Sequence, residues 1–225
     1  MTDPDAASVA AEAFKDIYQR IIDDHRANPA DDLTTMLLNT EVDGEKLTDE
    51  EVRSFLVNIV SAGLDTTSRQ TAILITQLLE NPDQFELLRQ QPDLLDQAIW
   101  ESLRCCATTG SFCRVAGEDA EVEGTVIPKG ARVLIGVHSA NHDPNRWENP
   151  RKFDITRTKQ PIMSFNMGKH ACLGQNLALA EIKIAMQNVL ERLPNLRKDK
   201  DRWHSLRWGG YYFRSPTQLP AKWDV

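Results

Sequence analysis

The sequence lacks the marks of several large classes of protein. Its 225 residues include only four cysteines, too few for the disulfide framework of a secreted domain, and no charged-then-apolar leader follows Met1. No apolar run approaches the roughly 20 residues that cross a bilayer, so we expect neither a membrane span nor a membrane anchor. The net charge of -7 argues against nucleic-acid binding, which needs clustered Lys and Arg. We therefore expect a cytoplasmic protein with reduced thiols.

The cysteines also lack the paired C-x-x-C spacing of structural zinc sites. Cys105, Cys106 and Cys113 could combine only with His138 or His142, and the intervals between them do not match a zinc-binding pattern. We expect no zinc site in this region. Cys105 and Cys106 are interpreted instead as packing residues.

Apolar residues recur at helical spacing along much of the chain, and no linker or repeat divides it. We therefore expect one domain over residues 1–225. A capping box is predicted at Thr48 and Glu51, and a helix N-cap at Asn81, just before Pro82. Helices are predicted from residue 31 and over residues 6–26, 50–79, 82–90, 92–106 and 173–193.

Strand signals are confined to short segments. Alternating residues between positions 108 and 140 predict small antiparallel strands, and residues 209–223 predict a terminal hairpin. Residues 141–154 are rich in Pro and Asn, which is typical of an irregular loop. The expected fold class is mainly α with small antiparallel β-sheets.

The centre of the longest predicted helix, AGLDTTS at residues 62–68, conflicts with its helical surroundings. A glycine inside a helix costs about 1 kcal/mol relative to alanine, and four consecutive polar residues interrupt the apolar stripe. Such conflicts tend to mark functional sites. The alternative is a set of hydroxyls that hydrogen-bond back to the carbonyls of their own helix.

A single cysteine, Cys172, lies between glycines in FNMGKHACLGQNLALAE, just before a predicted helix. It could be a buried small hydrophobe, a disulfide partner or a metal ligand. The N-terminus of a helix stabilises a thiolate and lowers the thiol pKa, which favours a ligand or a nucleophile. Glycines at 168 and 174 would let the backbone approach a flat cofactor closely.

Three motifs, in order, resemble the cytochrome P450 family of haem-thiolate monooxygenases of the bacterial type. The pattern A-G-x-D-T-T occupies residues 62–67, and E-x-x-R is matched by Glu101 and Arg104. The haem-binding pattern F-x-x-G-x-H-x-C-x-G is matched by Phe165, Gly168, His170, Cys172 and Gly174. The resemblance implies the C-terminal portion of the cytochrome P450 fold, because the family's chains are about twice this length.

The resemblance implies a haem b cofactor whose iron takes Cys172 as its axial thiolate ligand. Asp65 and Thr66 are the implied catalytic residues. They would deliver protons on the other face of the haem, where an opened helix hydrogen bond can hold water. Phe165 would pack near the thiolate.

Three arginines, a histidine and a glutamate have implied supporting roles. Arg114 and His170 match family positions that bind the haem propionates. Glu101 and Arg104 would form a buried ion pair, joined by Arg157, that fixes the cysteine-bearing loop. The alternative for Glu101 and Arg104 is an exposed helix pair worth a few tenths of a kcal/mol.

The implied function is the insertion of one oxygen atom from dioxygen into a small organic substrate, with electrons from a ferredoxin-type donor. The substrate pocket is expected around Leu56, Val60, Ala62 and residues 108–112. Two positions depart from the family pattern, Ala107 where proline is usual and His142 where arginine is usual.

The length of the chain leaves other interpretations open. The resemblance implies that the part absent here covers one haem edge and forms most of the substrate pocket. A second copy in a homo-oligomer, or a partner chain, could cover the apolar surface left open. The alternative functions are a non-catalytic module that binds haem or a partner protein, and a fragment of a longer enzyme.

Overall fold

The computed structural model describes residues 4–210 and 212–225. Two parts of the chain lie outside the described residues. They are residues 1–3, where no leader is expected, and Tyr211, which is in the predicted terminal hairpin. The chain divides into two compact units, Met1–Leu64 and Asp65–Val225. The single domain over residues 1–225 stays a prediction.

The first unit is helical, with one short hairpin. Its apolar core contains Tyr18, Ile22, Leu37, Val52 and Leu56. Its elements are α1 (Pro4–Ala27), α2 (Leu33–Asn39), β1 (Glu41–Val42), antiparallel β2 (Glu45–Lys46) and the first part of α3 (Asp49–Glu80).

The predicted capping box at the start of α3 is confirmed. The backbone N–H of Glu51 donates to Thr48 Oγ1 at 3.3 Å, and the backbone N–H of Thr48 donates to Glu51 Oε2 at 2.8 Å. These bonds satisfy donors that have no partner within the helix.

Asn81 stands before the next helix, as predicted, but its side chain makes no N-cap bond there. Asn81 Nδ2 instead donates to the carbonyl of Gln77 at 2.8 Å. The same carbonyl also accepts from the backbone N–H of Asn81 at 3.0 Å, so the side chain adds a second bond at the end of α3. The predicted N-cap position is confirmed, although no side-chain bond caps α4.

The helices of the second unit surround one apolar core. They are the last part of α3, α4 (Pro82–Gln90), a 3-10 turn (Pro92–Leu94), α5 (Leu95–Cys105), α6 (Val137–Asn141) and α7 (Gln175–Arg192). The core joins Leu74 of α3, Ile99 of α5 and Met186 of α7. Strand was predicted up to residue 140, but Val137–Asn141 is helical, because the ladder with β3 ends at Gly136.

Among the described residues, the strands of the second unit form four small antiparallel pairs, which confirms the expected fold class. The hairpin predicted over residues 209–223 is confirmed only in its first part, because residues 208–209 pair with 215–216 whereas residues 221–222 pair with 197–198. The pairs are β3 (Ser111–Val115) with β6 (Arg132–Gly136), β4 (Ala120–Val122) with β5 (Thr125–Ile127), β7 (Arg197–Lys198) with β10 (Ala221–Lys222), and β8 (Trp208–Gly209) with β9 (Ser215–Pro216).

None of the helices within residues 4–210 and 212–225 has both the length and the apolar character needed to cross a membrane.

Candidate functional site

A pocket of the second unit brings several of the predicted site residues together. It encloses about 770 Å³ of empty space, some of it continuous with solvent. Thr66 of α3 lines it, as do Phe112 of β3 and Phe165, His170 and Cys172 of the segment before α7. Every lining residue belongs to Asp65–Val225, so the pocket is built by one unit.

The cysteine loop, residues 165–174, folds back on itself before α7. The backbone N–H of Cys172 donates to the carbonyl of Phe165 at 2.8 Å, and that of Ala171 donates to Gly168 at 3.0 Å. Helix α7 begins at Gln175, three residues after the thiol. The loop therefore places the thiol beside the positive end of an 18-residue helix.

Two of the three interpretations of Cys172 do not hold. Its side chain is exposed at the pocket, so it is not a buried hydrophobe. It forms no disulfide, and the other three cysteines are free as well. A sulfur available to a ligand is the remaining interpretation.

The two loop glycines leave open space beside the thiol. Gly168 has a φ of +69°, a conformation that side chains rarely adopt, whereas Gly174 has an ordinary φ of -86°. At neither position would an added Cβ meet another atom within 4 Å. Gly168 is therefore required by the turn, and Gly174 only leaves room.

These residues fit the haem that the resemblance implies. A soft sulfur donor and the imidazole of His170 border the same space, and apolar Leu103, Phe112 and Ile182 line its walls. The open space at the loop glycines permits a flat group to approach the backbone. In the part of the chain that the structure describes, no group of three His, Cys, Asp or Glu side chains could hold a metal ion.

Helix α3 continues through residues 62–68, and the opened hydrogen bond expected there stays a prediction. Ser68 Oγ donates to the carbonyl of Asp65 at 3.1 Å, and Thr71 Oγ1 donates to that of Thr67 at 2.9 Å. The back-bond of Ser68 is the pattern that the alternative interpretation described, whereas Thr71 lies outside residues 62–68.

Asp65 does not line the pocket, although its neighbour Thr66 does. Arg69 Nε lies 2.7 Å from Asp65 Oδ2, one helical turn away, although this N–H is not aligned as a hydrogen bond. The guanidinium of Arg69 also donates to Ser215 Oγ at 2.9 Å. The predicted catalytic pair is thereby divided, with the hydroxyl at the pocket and the carboxylate at Arg69.

The Glu101–Arg104 centre, made of Glu101, Arg104 and Arg157, is a buried ion network. The side chains of Glu101 and Arg104 are 3% and 1% exposed. Arg104 donates to both Glu101 oxygens at 2.8 Å, and Arg157 Nε donates to Glu101 Oε1 at 3.2 Å. Burial alone would lower the pKa of Arg104, but its bonds to Glu101 raise it overall. The exposed-pair alternative is wrong.

The centre is connected to the cysteine loop through backbone carbonyls and one buried amide. Arg104 Nη1 donates to the carbonyl of Asn141 at 2.9 Å. Asn141 Nδ2 donates to Ser164 Oγ at 2.9 Å, and Ser164 Oγ donates to the carbonyl of Leu103 at 2.7 Å. Sequence reasoning missed Asn141 and Ser164, which no local spacing relates because they are 23 residues apart.

The two predicted propionate-binding residues are placed differently. His170 lines the pocket together with Cys172. Arg114 does not, but its guanidinium lies 5.8 Å from the ring of Phe112, which does. The same guanidinium donates to the carbonyl of Cys113 at 2.8 Å.

The residues expected to line a substrate pocket fall in two groups. Of residues 108–112, Thr108, Thr109 and Phe112 line the pocket. Leu56, Val60 and Ala62 belong to the first unit, so their role at a pocket stays a prediction.

Cys105 and Cys106 are half-buried at the end of α5, where Cys105 packs against the apolar core. Burial raises the pKa of Cys106 to about 11 and raises that of Cys105 as well. Both thiols therefore stay protonated at neutral pH. Cys105 is a packing residue, as predicted, and the packing role of Cys106 stays a prediction.

Comparison with known proteins agrees with the family resemblance of the motifs. The family described as Cytochrome P450 matches residues 5–217. A steroid C26-monooxygenase of Mycobacterium tuberculosis is 39% identical over 84% of this chain and 50% of its own length. A biotin biosynthesis cytochrome P450 of Bacillus subtilis is 34% identical over 100% of this chain and 55% of its own length.

A solved structure also resembles the chain. The crystal structure of CYP109E1 from Bacillus megaterium in complex with testosterone has a TM-score of 0.92 at 29% identity, covering 97% of this chain and 61% of that one. The chain spans about half the length of the curated relatives it matches. Because the family match covers residues 5–217 and similar proteins share both sequence and fold with it, the chain belongs to the cytochrome P450 family.

Proposed function

We propose that this chain forms the haem-thiolate centre of a monooxygenase that inserts one oxygen atom from dioxygen into a small organic substrate. The observation that carries the proposal is the pocket shared by Cys172, His170 and Thr66 at the start of α7. Bound haem b would supply the iron redox chemistry that activates dioxygen. The residues of the chain bind the cofactor, exclude water and handle protons.

Cys172 is the proposed axial ligand. Its sulfur stands at the pocket three residues before α7, and a thiol binds a metal through the anionic form of its sulfur. His170 and Arg114 would donate charge-assisted hydrogen bonds to the propionates. The Glu101–Arg104 centre holds the cysteine loop through Asn141, so that the thiol keeps its position without the cofactor's help.

Thr66 and Asp65 are the proposed proton-handling residues. The hydroxyl of Thr66 can both accept and donate a hydrogen bond at the pocket wall, so it can hold a water or pass on a proton there. Asp65 precedes Thr66 by one residue and is paired with Arg69, and its side chain is partly exposed to solvent. We propose that this carboxylate passes protons between solvent and the hydroxyl of Thr66.

The proposed substrate is small and apolar. Phe112, with Thr108 and Thr109, would contact it, because these residues line the pocket from β3 and its approach. The names of two similar proteins support an apolar substrate, one being a steroid C26-monooxygenase and the other a structure holding testosterone.

The proposed partners are a ferredoxin-type electron donor and a protein chain that covers the exposed apolar side chains of α7. Leu177 and Ile184 of α7 are 63% and 59% exposed, and such apolar side chains are usually covered by protein. A second copy of the chain or a partner chain could cover them. The cytoplasmic location expected from the few cysteines stays a prediction.

Haem uptake tests the cofactor site. The purified chain is mixed with haem, freed of excess by gel filtration, and the ratio of haem to protein is measured. We expect one haem per chain for the wild type and for Cys113→Ser, an exposed cysteine outside the pocket, and a clear loss for Cys172→Ser. Equal uptake by all three variants would contradict the proposed ligand.

Turnover tests the reaction itself. Haem-loaded chain is supplied with reduced ferredoxin, isotopically labelled dioxygen and a mixture of steroids and fatty acids, and products are sought by mass spectrometry. A product that has gained one labelled oxygen atom supports the monooxygenase. Retention of haem without any such product would leave the alternative, a module that binds haem without catalysis.

A further inference from the structure

Gln70 is a buried polar residue of α3 that the proposed function does not use. It is 2% exposed and lines the pocket. It follows Thr66 by four residues, so the two side chains lie on the same face of the helix. The pocket wall formed by α3 thus consists of a hydroxyl and, one turn further on, a carboxamide.

The carboxamide of Gln70 makes three hydrogen bonds across the pocket edge. Its Nε2 donates to Ser102 Oγ at 3.1 Å and to the carbonyl of Cys106 at 3.2 Å. Its Oε1 accepts from the backbone N–H of Thr108 at 2.9 Å. Both donors are therefore used within the protein, which leaves none for a molecule in the pocket.

These three bonds all reach the end of α5 and the connection to β3. Ala107 and Thr108 of this connection line the pocket, followed by Thr109 and Phe112. The connection is also bonded by His138 Nε2, to the carbonyl of Ala107 at 2.9 Å, and by the backbone N–H of Arg214, to the carbonyl of Thr108 at 2.8 Å. Gln70 adds the bonds that join this connection to α3.

We propose that Gln70 is a positioning residue that sets the separation between Thr66 and residues 107–112, and thereby the size of molecule that the pocket accepts. The role in size selection rests on the proposed function, since it requires a ligand in the pocket. The mechanical part, that Gln70 fixes residues 106–112, is independent of any cofactor. Gln70 acts through the connection and not by touching the substrate.

Hydrogen exchange followed by mass spectrometry tests the mechanical part on the full chain. In Gln70→Met the apolar side chain keeps its length but leaves the N–H of Thr108 and the carbonyl of Cys106 unpaired. We expect the peptide covering residues 106–112 to exchange about tenfold faster, the effect of losing one hydrogen bond. Exchange in α7 should stay unchanged.

Thr76→Val is the matched control. Thr76 is a fully buried residue of the same helix whose hydroxyl bonds only the carbonyl of Ala72, away from the pocket. This variant should leave exchange at residues 106–112 as in the wild type. If Gln70→Met does not fold, Ser102→Ala removes one partner of Gln70 and should accelerate the same peptide in the same direction.

Two ligands of different size test the role in selection. Imidazole and 4-phenylimidazole are titrated into haem-loaded protein, and the ratio of their dissociation constants is measured from the Soret band. Gln70→Met should shift this ratio toward the bulkier ligand by about tenfold, the lower end of the effect of one methylene group in an apolar pocket. Thr76→Val should leave the ratio unchanged.

The outcomes separate this inference from the proposed function. Unchanged exchange at residues 106–112 in Gln70→Met overturns the inference whether or not haem binds. An unchanged ratio of the two ligands overturns the role in size selection. Failure of wild-type chain to bind haem contradicts the proposed function, and the exchange result then still decides whether Gln70 fixes the connection.

Discussion

The Glu101–Arg104 centre is buried and completely hydrogen-bonded, whereas the cysteine loop of the same unit keeps its thiol exposed. Arg104 reaches two carboxylate oxygens and the carbonyls of Asn141, Pro150 and Lys152. Cys172 has two backbone bonds, to Phe165 and Gln175, and its residue lines the pocket.

This difference suggests that the Glu101–Arg104 centre stabilises the fold, whereas Cys172 is available for binding. Arg104 supplies two bonds to the buried Glu101 carboxylate and bonds to three backbone carbonyls, so its removal leaves several buried acceptors without their donor. The loop depends on few side-chain contacts, so its thiol can be changed at little cost to the fold. The buried network and the exposed thiol are therefore expected to respond differently to substitution.

The largest expected effect comes from breaking the centre. Arg104→Ala leaves the carboxylate of Glu101 buried with only Arg157 as a charged partner, and we expect a loss of about 3–5 kcal/mol in the free energy of unfolding. Urea titration measures it. The control is Arg197→Ala, at an ion pair with Asp224 whose side chains are 53% and 50% exposed, which should cost less than about 1 kcal/mol. Equal losses in the two variants would contradict the contrast.

The next effect distinguishes the two glycines of the cysteine loop. Gly168→Ala places a side chain at a φ of +69° and should cost about 1–2 kcal/mol in the free energy of unfolding. Gly174→Ala, at an ordinary φ and in open space, should leave that free energy unchanged while reducing haem uptake. The reverse order in urea titration, or full uptake by Gly174→Ala, would show that the loop is used differently.

A pH-dependent effect is expected at the edge of the centre, where the backbone N–H of Asp154 donates to Glu101. Hydrogen bonds from Thr156 and Lys152 lower the pKa of the Asp154 carboxyl to about 2. Because this pKa is below its unfolded value of about 3.9, the carboxylate stabilises the fold above about pH 4. That contribution is lost as the pH falls from about 4 to 2.

Unfolding of the wild type and of Asp154→Asn, followed by urea titration between pH 5 and pH 2.5, measures this contribution. The wild type should lose more stability than the variant across the interval. Parallel curves would mean that the carboxylate is not stabilised in the folded chain.

The smallest expected effect comes from the thiol itself. Cys172→Ser should change the free energy of unfolding by no more than about 0.5 kcal/mol, because the side chain is exposed. Urea titration of the cofactor-free protein measures it. A loss above about 1 kcal/mol would show that the sulfur contributes to packing, which would weaken the contrast with Arg104.

The sequence predicted most helices and the site residues that local motifs carry. Thr48 and Glu51 were identifiable because a capping box is encoded within four residues. Glu101 and Arg104 were identifiable by their spacing, but their burial depends on carbonyls from residues 141–152. Local pattern could not supply those distant partners.

The sequence also could not predict features that depend on where a strand pair ends or on distant hydrogen-bond partners. Residues 137–140 were predicted as strand because they follow directly on the strand pattern of β6, and the end of the β3–β6 ladder at Gly136 is not marked in the sequence. Gln70 and Asn141 look like ordinary polar residues in sequence. Their importance lies in partners more than twenty positions away, which the fold alone brings together.

The most direct test of the haem-thiolate assignment is the absorption spectrum of haem-loaded protein after reduction and exposure to carbon monoxide. We expect a strongly red-shifted Soret band in the wild type and in Cys113→Ser, and its absence in Cys172→Ser. A wild-type spectrum without that shift, or a shift that survives in Cys172→Ser, would contradict Cys172 as the thiolate ligand.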